Sequence, residues 1–286
     1  MTVDPTSVDW TAARRASYRL RQAIRYEYAE PITDLHHRLV VIPPARFGDQ
    51  RRTYHDVLIE LEDVRVDHLE DRFGNVVVDV FADEVPDAIE FVAEVSVERS
   101  AAERNVLRGG WPPQDWWLEA SGLTAADERI RGAAAELAAE AEWGLPLADR
   151  INDWVYGSMT YKHDVTGVRT TAAQALALGS GVCQDYAHVM LALCRAAGLP
   201  SRYVSGHMLG QGGTHAWVDV VLPAGDGPDA VAWAFDPTHA SRVGLDYVTI
   251  AVGRDYADVA PTSGTYRSGG RGRLTTSKQV TLTDIG

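Results

Sequence analysis

From Tyr18 to about Val97 the chain is a succession of short runs rich in Val, Ile and Tyr, and no other feature constrains its fold as strongly. YRLRQAIRYEY, RLVVI, YHDVLIELE, VRVDHLEDRFGNVVVDVF and IEFVAEVSVE alternate apolar with polar positions or carry β-branched residues, as half-buried strands do. Between them AEPITD, PPARFGDQ and FGN supply the Pro, Gly, Asp and Asn that bend a backbone. An antiparallel β domain is expected over residues 1–105. Twelve acidic residues lie between His55 and Glu90 against Arg65 and Arg72, a bias that suits the solvated outer faces of such strands. The tandem His36 and His37 alternate across one strand and are expected at the surface.

The pattern then changes. RGGWPPQDWWLEASGL breaks regular structure with Gly and Pro, and its three tryptophans need cover, so residues 106–123 read as a linker packed on a neighbouring domain. Thr124 to Glu142 is an alanine-rich helix with Thr124 as its expected N-cap. Leu147 to Tyr156 is a second helix, entered through Pro146, and TTAAQALAL is a third that ends at Gly179. TSKQVTLTDI, near the end, reads as a strand able to close back onto a sheet. Residues 124–286 are expected to form the second domain of an α+β protein.

The chain of 286 residues is long enough to bury a core without disulfides. Its two cysteines, Cys183 and Cys194, would stand about 16 Å apart on one helix at ~1.5 Å per residue, beyond the ~7 Å that a disulfide spans. Free thiols, a polar opening and no apolar run near ~18 residues lead us to expect a cytoplasmic protein outside the membrane. A net charge of -13 argues against nucleic acid as a partner.

Cys183 opens the stretch GVCQDYAHVMLALCRAAGLP. Tyr186, Val189, Met190, Leu193 and Ala197 form a stripe of helical period, with Gly198 and Pro200 as stop signals, so one helix face is buried. Cys183 falls in the first turn, where unpaired N–H groups favour an anion and can bind the oxyanion of a tetrahedral intermediate. Gly181 leaves room for substrate to approach. Cys194, deep in the helix, is a small core residue. A nucleophile needs a base, and THAWVDVVL and AVAWAFD flank a Gly, Asp and Pro cluster as a hairpin would. A turn centred between Gly225 and Asp226 makes His215 and Asp236 cross-strand neighbours, and a slip of one or two leaves them diagonal but within reach.

G-V-C-Q-D-Y-A-H at Gly181 to His188, T-H-A-W-V at Thr214 to Val218 and F-D-P-T at Phe235 to Thr238 resemble the bacterial transglutaminase-like family in order and spacing. The likeness runs from about Ile151 to Tyr256, and RYEYAEPI, RLVVIPP and DRFGN resemble the region that precedes the core in that family. The resemblance implies a papain-like core, a helix packed on an antiparallel sheet, behind an N-terminal β domain. It implies acyl transfer through a thioester, with Cys183 as nucleophile, His215 as base and acid, and Asp236 as the group that orients His215. It implies no cofactor. Gln184 replaces the tryptophan usual after the cysteine in animal transglutaminases, so hydrolysis of a protein, peptide or small amide is favoured over Gln–Lys crosslinking, with an amine as an optional acceptor. A non-catalytic peptide-binding module on the same fold is the alternative.

Other residues have plainer readings. Tyr161 is a candidate second oxyanion donor, and Gln184 and Trp217 are candidate substrate walls. His207, His215, His239 and Asp236 lack the H-E-x-x-H or C-x-x-C spacing of a metal site, and none is expected. His188 reads as packing, Asp185 as a helix cap, and GQGGTH as a glycine loop that gives substrate room beside His215.

Overall fold

The computed structural model describes residues 2–101, 104–210, 213–268 and 270–286. Seven strands come first: β1 (Arg15–Glu27), β2 (Ile32–Ile42), β3 (Arg46–Phe47), β4 (Gln50–Ile59), β5 (Arg65–Glu70), β6 (Val76–Val85) and β7 (Ala88–Ser100). The short β8 (Val106–Leu107) leads to α1 (Glu128–Glu140), α2 (Leu145–Ser158), β9 (Thr160–Tyr161), α3 (Ala172–Leu178), β10 (Ser180–Gly181) and α4 (Cys183–Ala196). Then follow β11 (Ser201–Met208), β12 (His215–Pro223), β13 (Ala230–Asp236), β14 (Ser241–Arg242), β15 (Tyr247–Gly253), β16 (Thr262–Arg267) and β17 (Arg273–Ile285).

The alternating runs pair as antiparallel strands in two sheets, ordered β17-β1-β7-β4-β3 and β16-β2-β6-β5. Ile24, Leu35, Leu39, Val78 and Phe91 share one apolar cluster. His37 belongs there rather than at the surface: it is buried, stacks on Phe91 with ring centres 4.5 Å apart, and meets the Thr262 hydroxyl at 2.7 Å. Burial pushes its pKa down to about 4, so it stays neutral.

The expected division at 105 and 124 needs a correction at its far end. Residues 262–285 do not stay with the helices, because β17 pairs with β1 from Ala16↔Ile285 to Glu27↔Arg273, and β16 pairs with β2. The physical reason is edge protection: a 13-residue β1 without a neighbour on that side would present a long row of unpaired N–H and C=O groups. The 106–123 segment packs on the neighbouring layer, as its tryptophans suggest. β8 pairs with β13, and Trp117 is buried with Val221, Ala230 and Ala232.

The second layer system centres on a sheet ordered β14-β13-β12-β11-β15, to which β8 adds. Helix α4 lies on it, and α1, α2 and α3 close over the other side of α4, so every residue from Asp185 to Arg195 is buried rather than one stripe alone. The N-cap of α1 is Asp127, whose side chain accepts from Ile130 N at 2.8 Å. Thr124 is instead buried, bonded to Ser121 and to the Arg195 guanidinium. Helix α3 starts with the Thr171 and Gln174 capping box and stops at Gly179, whose φ of 65° is left-handed.

The two halves are joined by side chains that imitate backbone. The Gln50 amide donates to Thr249 O at 2.8 Å and accepts from Thr249 N at 2.9 Å. Asn75 donates to Val252 O at 2.7 Å and accepts from Val252 N at 2.8 Å. Both act on β15, the edge strand of the helix-bearing sheet. Asn75 comes from the FGN turn of the sequence.

Candidate active site

Cys183 is the first residue of α4, so its N–H has no acceptor within the helix. Asp185, two residues on, accepts from Val182 N at 2.8 Å and from the Thr166 hydroxyl at 2.6 Å, which fixes the start of the helix. Gly181 is glycine for this reason, and not only to admit substrate: a Cβ there would stand 2.4 Å from Asp185 Oδ2. Cys183 is half-buried, and its Sγ lies 4.0 Å from Thr214 O, at the threshold of β12. Cys194 is fully buried and its thiol is pushed up to about 12 by burial.

His215 is the first residue of β12 and Asp236 the last of β13. The observed register pairs Val218 with Phe235 and Pro223 with Ala230, which centres the turn between Asp226 and Gly227 and shifts each cross-strand partner by two. The hairpin instead closes from Ala224 N to Asp229 O. Hence the two side chains are diagonal neighbours, and Nε2 of His215 meets Asp236 Oδ2 at 2.7 Å. That leaves Nδ1 for the thiol side.

Burial works against a charged His215 ring. Hydrogen bonds to Asp236 and Cys183, with the negative charge of each partner, outweigh it and push the imidazole up to about 9. Asp236 is fully buried, which alone would raise its carboxyl. It is held well below the usual range by hydrogen bonds from His215, from His239 Nδ1 at 2.8 Å and from the Tyr247 hydroxyl at 2.8 Å, all on Oδ2. Its Oδ1 accepts from Thr238 N at 2.9 Å.

A cavity of about 400 Å³ opens on Cys183 and His215. Tyr161 and Gln184 line it, as do Tyr203 and Ser205. Tyr161 is held there by the parallel pairing of β9 with β10, which sets it opposite Gly181. Trp217 is no wall of this cavity. It is 1% exposed, stacks on His215 at 6.3 Å and meets Tyr247 edge-on at 5.4 Å, and it faces a second cavity between the two halves. Its ring fits because residue 206 is glycine, where a Cβ would come within 2.4 Å of it.

His188 is buried, accepts from Tyr256 N at 3.2 Å and is pushed down to about 4 by burial, so it packs rather than reacts. Residues 211 and 212 of the GQGGTH loop lie outside the described residues, while Gly213 and Thr214 line the cavity. Donor atoms of His215, Asp236 and His239 converge within 4.8 Å, the spacing of a cation site. Both imidazoles already bond to Asp236 Oδ2, so a cation could enter only by breaking those bonds.

Sequence reasoning did not find Tyr247 or the two β17 residues in the cavity wall, Thr276 and Lys278, and it weighed His239 only as a metal ligand and not as a partner of Asp236. That partnership could have been found, since His239 stands three residues after Asp236 in DPTH. Tyr247 and the β17 residues depend on long-range pairing that no local pattern encodes.

Comparison with known proteins agrees with this architecture. Residues 131–235 match the transglutaminase-like superfamily, and residues 18–98 match the bacterial transglutaminase-like N-terminal region. The uncharacterized protein ML0607 of Mycobacterium leprae is 34% identical over 138 residues, 45% of this chain and 47% of that protein. The uncharacterized protein Rv2569c of Mycobacterium tuberculosis is 36% identical over 134 residues, 42% of each chain. The matches therefore span less than half the length of these relatives. A solved structure of a candidate cysteine protease from Cytophaga hutchinsonii shares the fold, with a TM-score of 0.76 at 21% identity, covering 95% of this chain and 92% of that one.

Proposed function

Because this chain belongs to the transglutaminase-like superfamily, with the bacterial N-terminal region ahead of the core, we propose that it is a cysteine enzyme acting on amide carbonyls through a thioester. The observation that carries this reading is the 2.7 Å bond between His215 Nε2 and the buried Asp236, at the mouth of a cavity shared with Cys183. Asp236 fixes the ring so that Nδ1 serves the sulfur. Cys183 Sγ, whose proton His215 already holds, attacks the carbonyl carbon as the thiolate. The oxyanion is met by the N–H of Cys183 at the helix start, with Tyr161 as our candidate for a second donor. On collapse the C–N bond breaks and the amine leaves with the proton held by His215. Water, deprotonated by His215, then cleaves the thioester and restores the thiol.

We favour water over an amine as the acceptor, since hydrolysis needs no second groove. The substrate is a protein, a peptide or a small amide, with Gln184 in its path.

Iodoacetamide labelling followed by peptide mass mapping tests the nucleophile. Cys183 is expected to react near neutral pH at least ~100-fold faster than buried Cys194, and Cys183→Ser and His215→Ala are expected to abolish release of ammonia or amine from an amide library. Equal labelling of the two thiols would overturn the reading.

A further inference from the structure

The chain holds only two lysines against 25 arginines, and one of them, Lys278, is in the wall of the Cys183 cavity. It gets there through β17: Lys278 pairs with Gln22 and Thr276 with Ile24, so the two alternate onto the same face of this edge strand. Among the described residues the cavity lining contains no Asp or Glu, although the whole chain carries a net charge of -13. Its ionisable nitrogen groups are His163, His215 and Lys278. His215 is committed to Asp236, and His163 packs edge-on against Tyr161 at 5.2 Å.

Lys278 is half-buried, and among the described residues no carboxylate pairs with it. Burial lowers its pKa to about 8 against a small upward pull from Cys183. An ammonium that has lost water and has no carboxylate partner is a site for an anion, and a compact ammonium suits a single carboxylate oxygen. Arginine serves the ion pairs elsewhere in this molecule, as at Arg99–Asp49 and Arg202–Asp219.

We propose that Lys278 selects substrate by pairing with a carboxylate on the acyl donor, so that the amides taken by Cys183 are those of acidic peptides, with a carboxylate close to the scissile carbonyl. This inference rests on Cys183 being the nucleophile. The ammonium also discourages cationic donors, which gives discrimination in both directions.

Iodoacetate and iodoacetamide differ in one charge at nearly equal size, and both alkylate a thiolate without any need for the natural substrate. The ratio of their second-order rates at Cys183 is measured at pH 7 in the wild type, Lys278→Met and Lys278→Arg. The ratio is expected to fall by about tenfold in Lys278→Met, the scale of one charge-assisted bond, and to be largely kept in Lys278→Arg. Retained protection of Cys194 certifies the fold of each variant. An unchanged ratio in Lys278→Met with Cys194 still protected would overturn the proposal. Slow labelling of Cys183 by both reagents in the wild type would instead remove the nucleophile itself, and the two failures are told apart by that control. On peptide amides, the same variant is expected to lose its preference for Glu over Gln beside the scissile bond through a higher KM for the acidic peptide.

Discussion

Asp236 Oδ2 is the meeting point of three donors, and one of them, the Tyr247 hydroxyl at 2.8 Å, comes from β15, the strand that the N-terminal half clamps. The carboxylate is therefore fixed from both sides, by its own hairpin and by a strand anchored elsewhere. Replacing it by an amide keeps the shape and changes the ring tautomer. Asp236→Asn is expected to lower kcat/KM by about 10²–10⁴ while leaving far-UV circular dichroism unchanged.

The raised pKa of His215 gives a pH signature. Folding lifts it from an ordinary 6.5 to about 9, so the native state holds the extra proton between those values. The stabilisation is complete below about pH 6.5 and is lost as pH rises through 9. The difference in unfolding free energy between wild type and Asp236→Asn, from urea titrations, should accordingly shrink between pH 6.5 and 9.5. A difference that grows with pH would contradict the assignment.

Asn75 satisfies both backbone groups of Val252 on a sheet edge. Asn75→Ala leaves a buried N–H and C=O without partners. A loss of about 2–4 kcal/mol in stability is expected, read as a lower urea midpoint at unchanged m-value. Asn75→Asp should lose nearly as much, because a carboxylate cannot donate to Val252 O.

Gly206→Ala is expected to destabilise the protein and impair turnover together. Its Cβ would meet Val248 O at 2.1 Å and the Trp217 ring at 2.4 Å, and Trp217 stacks on His215. Trp217→Leu in the same background should recover part of the stability by vacating the space, which a double-mutant cycle in urea would detect.

Much of the site was legible because its chemistry sits on short local signals. A cysteine at a helix start, a histidine opening one strand and an aspartate closing the next are each local signals, and the hairpin brought the last two together even with its register two positions off. A diagonal pair tolerates that slip; a residue whose role depends on facing direction does not. Trp217 was assigned to the substrate side, yet it points to the layer between the halves, where Gly206 makes room. His37 was misjudged for a related reason, since alternation along one strand says which residues share a face and not which face is covered. The closure by β16 and β17 was visible only as an apparent strand, because pairing across some 260 residues leaves no periodic trace.

That closure also orders the birth of the molecule. Synthesis delivers β1 long before β17, so the half begun earliest remains open along one flank until residues 273–285 emerge and dock. Helix α4 and Cys183 precede β17 along the chain, so their cavity gains that side last. The Cys183 cavity therefore lacks the wall that carries Thr276 and Lys278 until β17 has paired with β1.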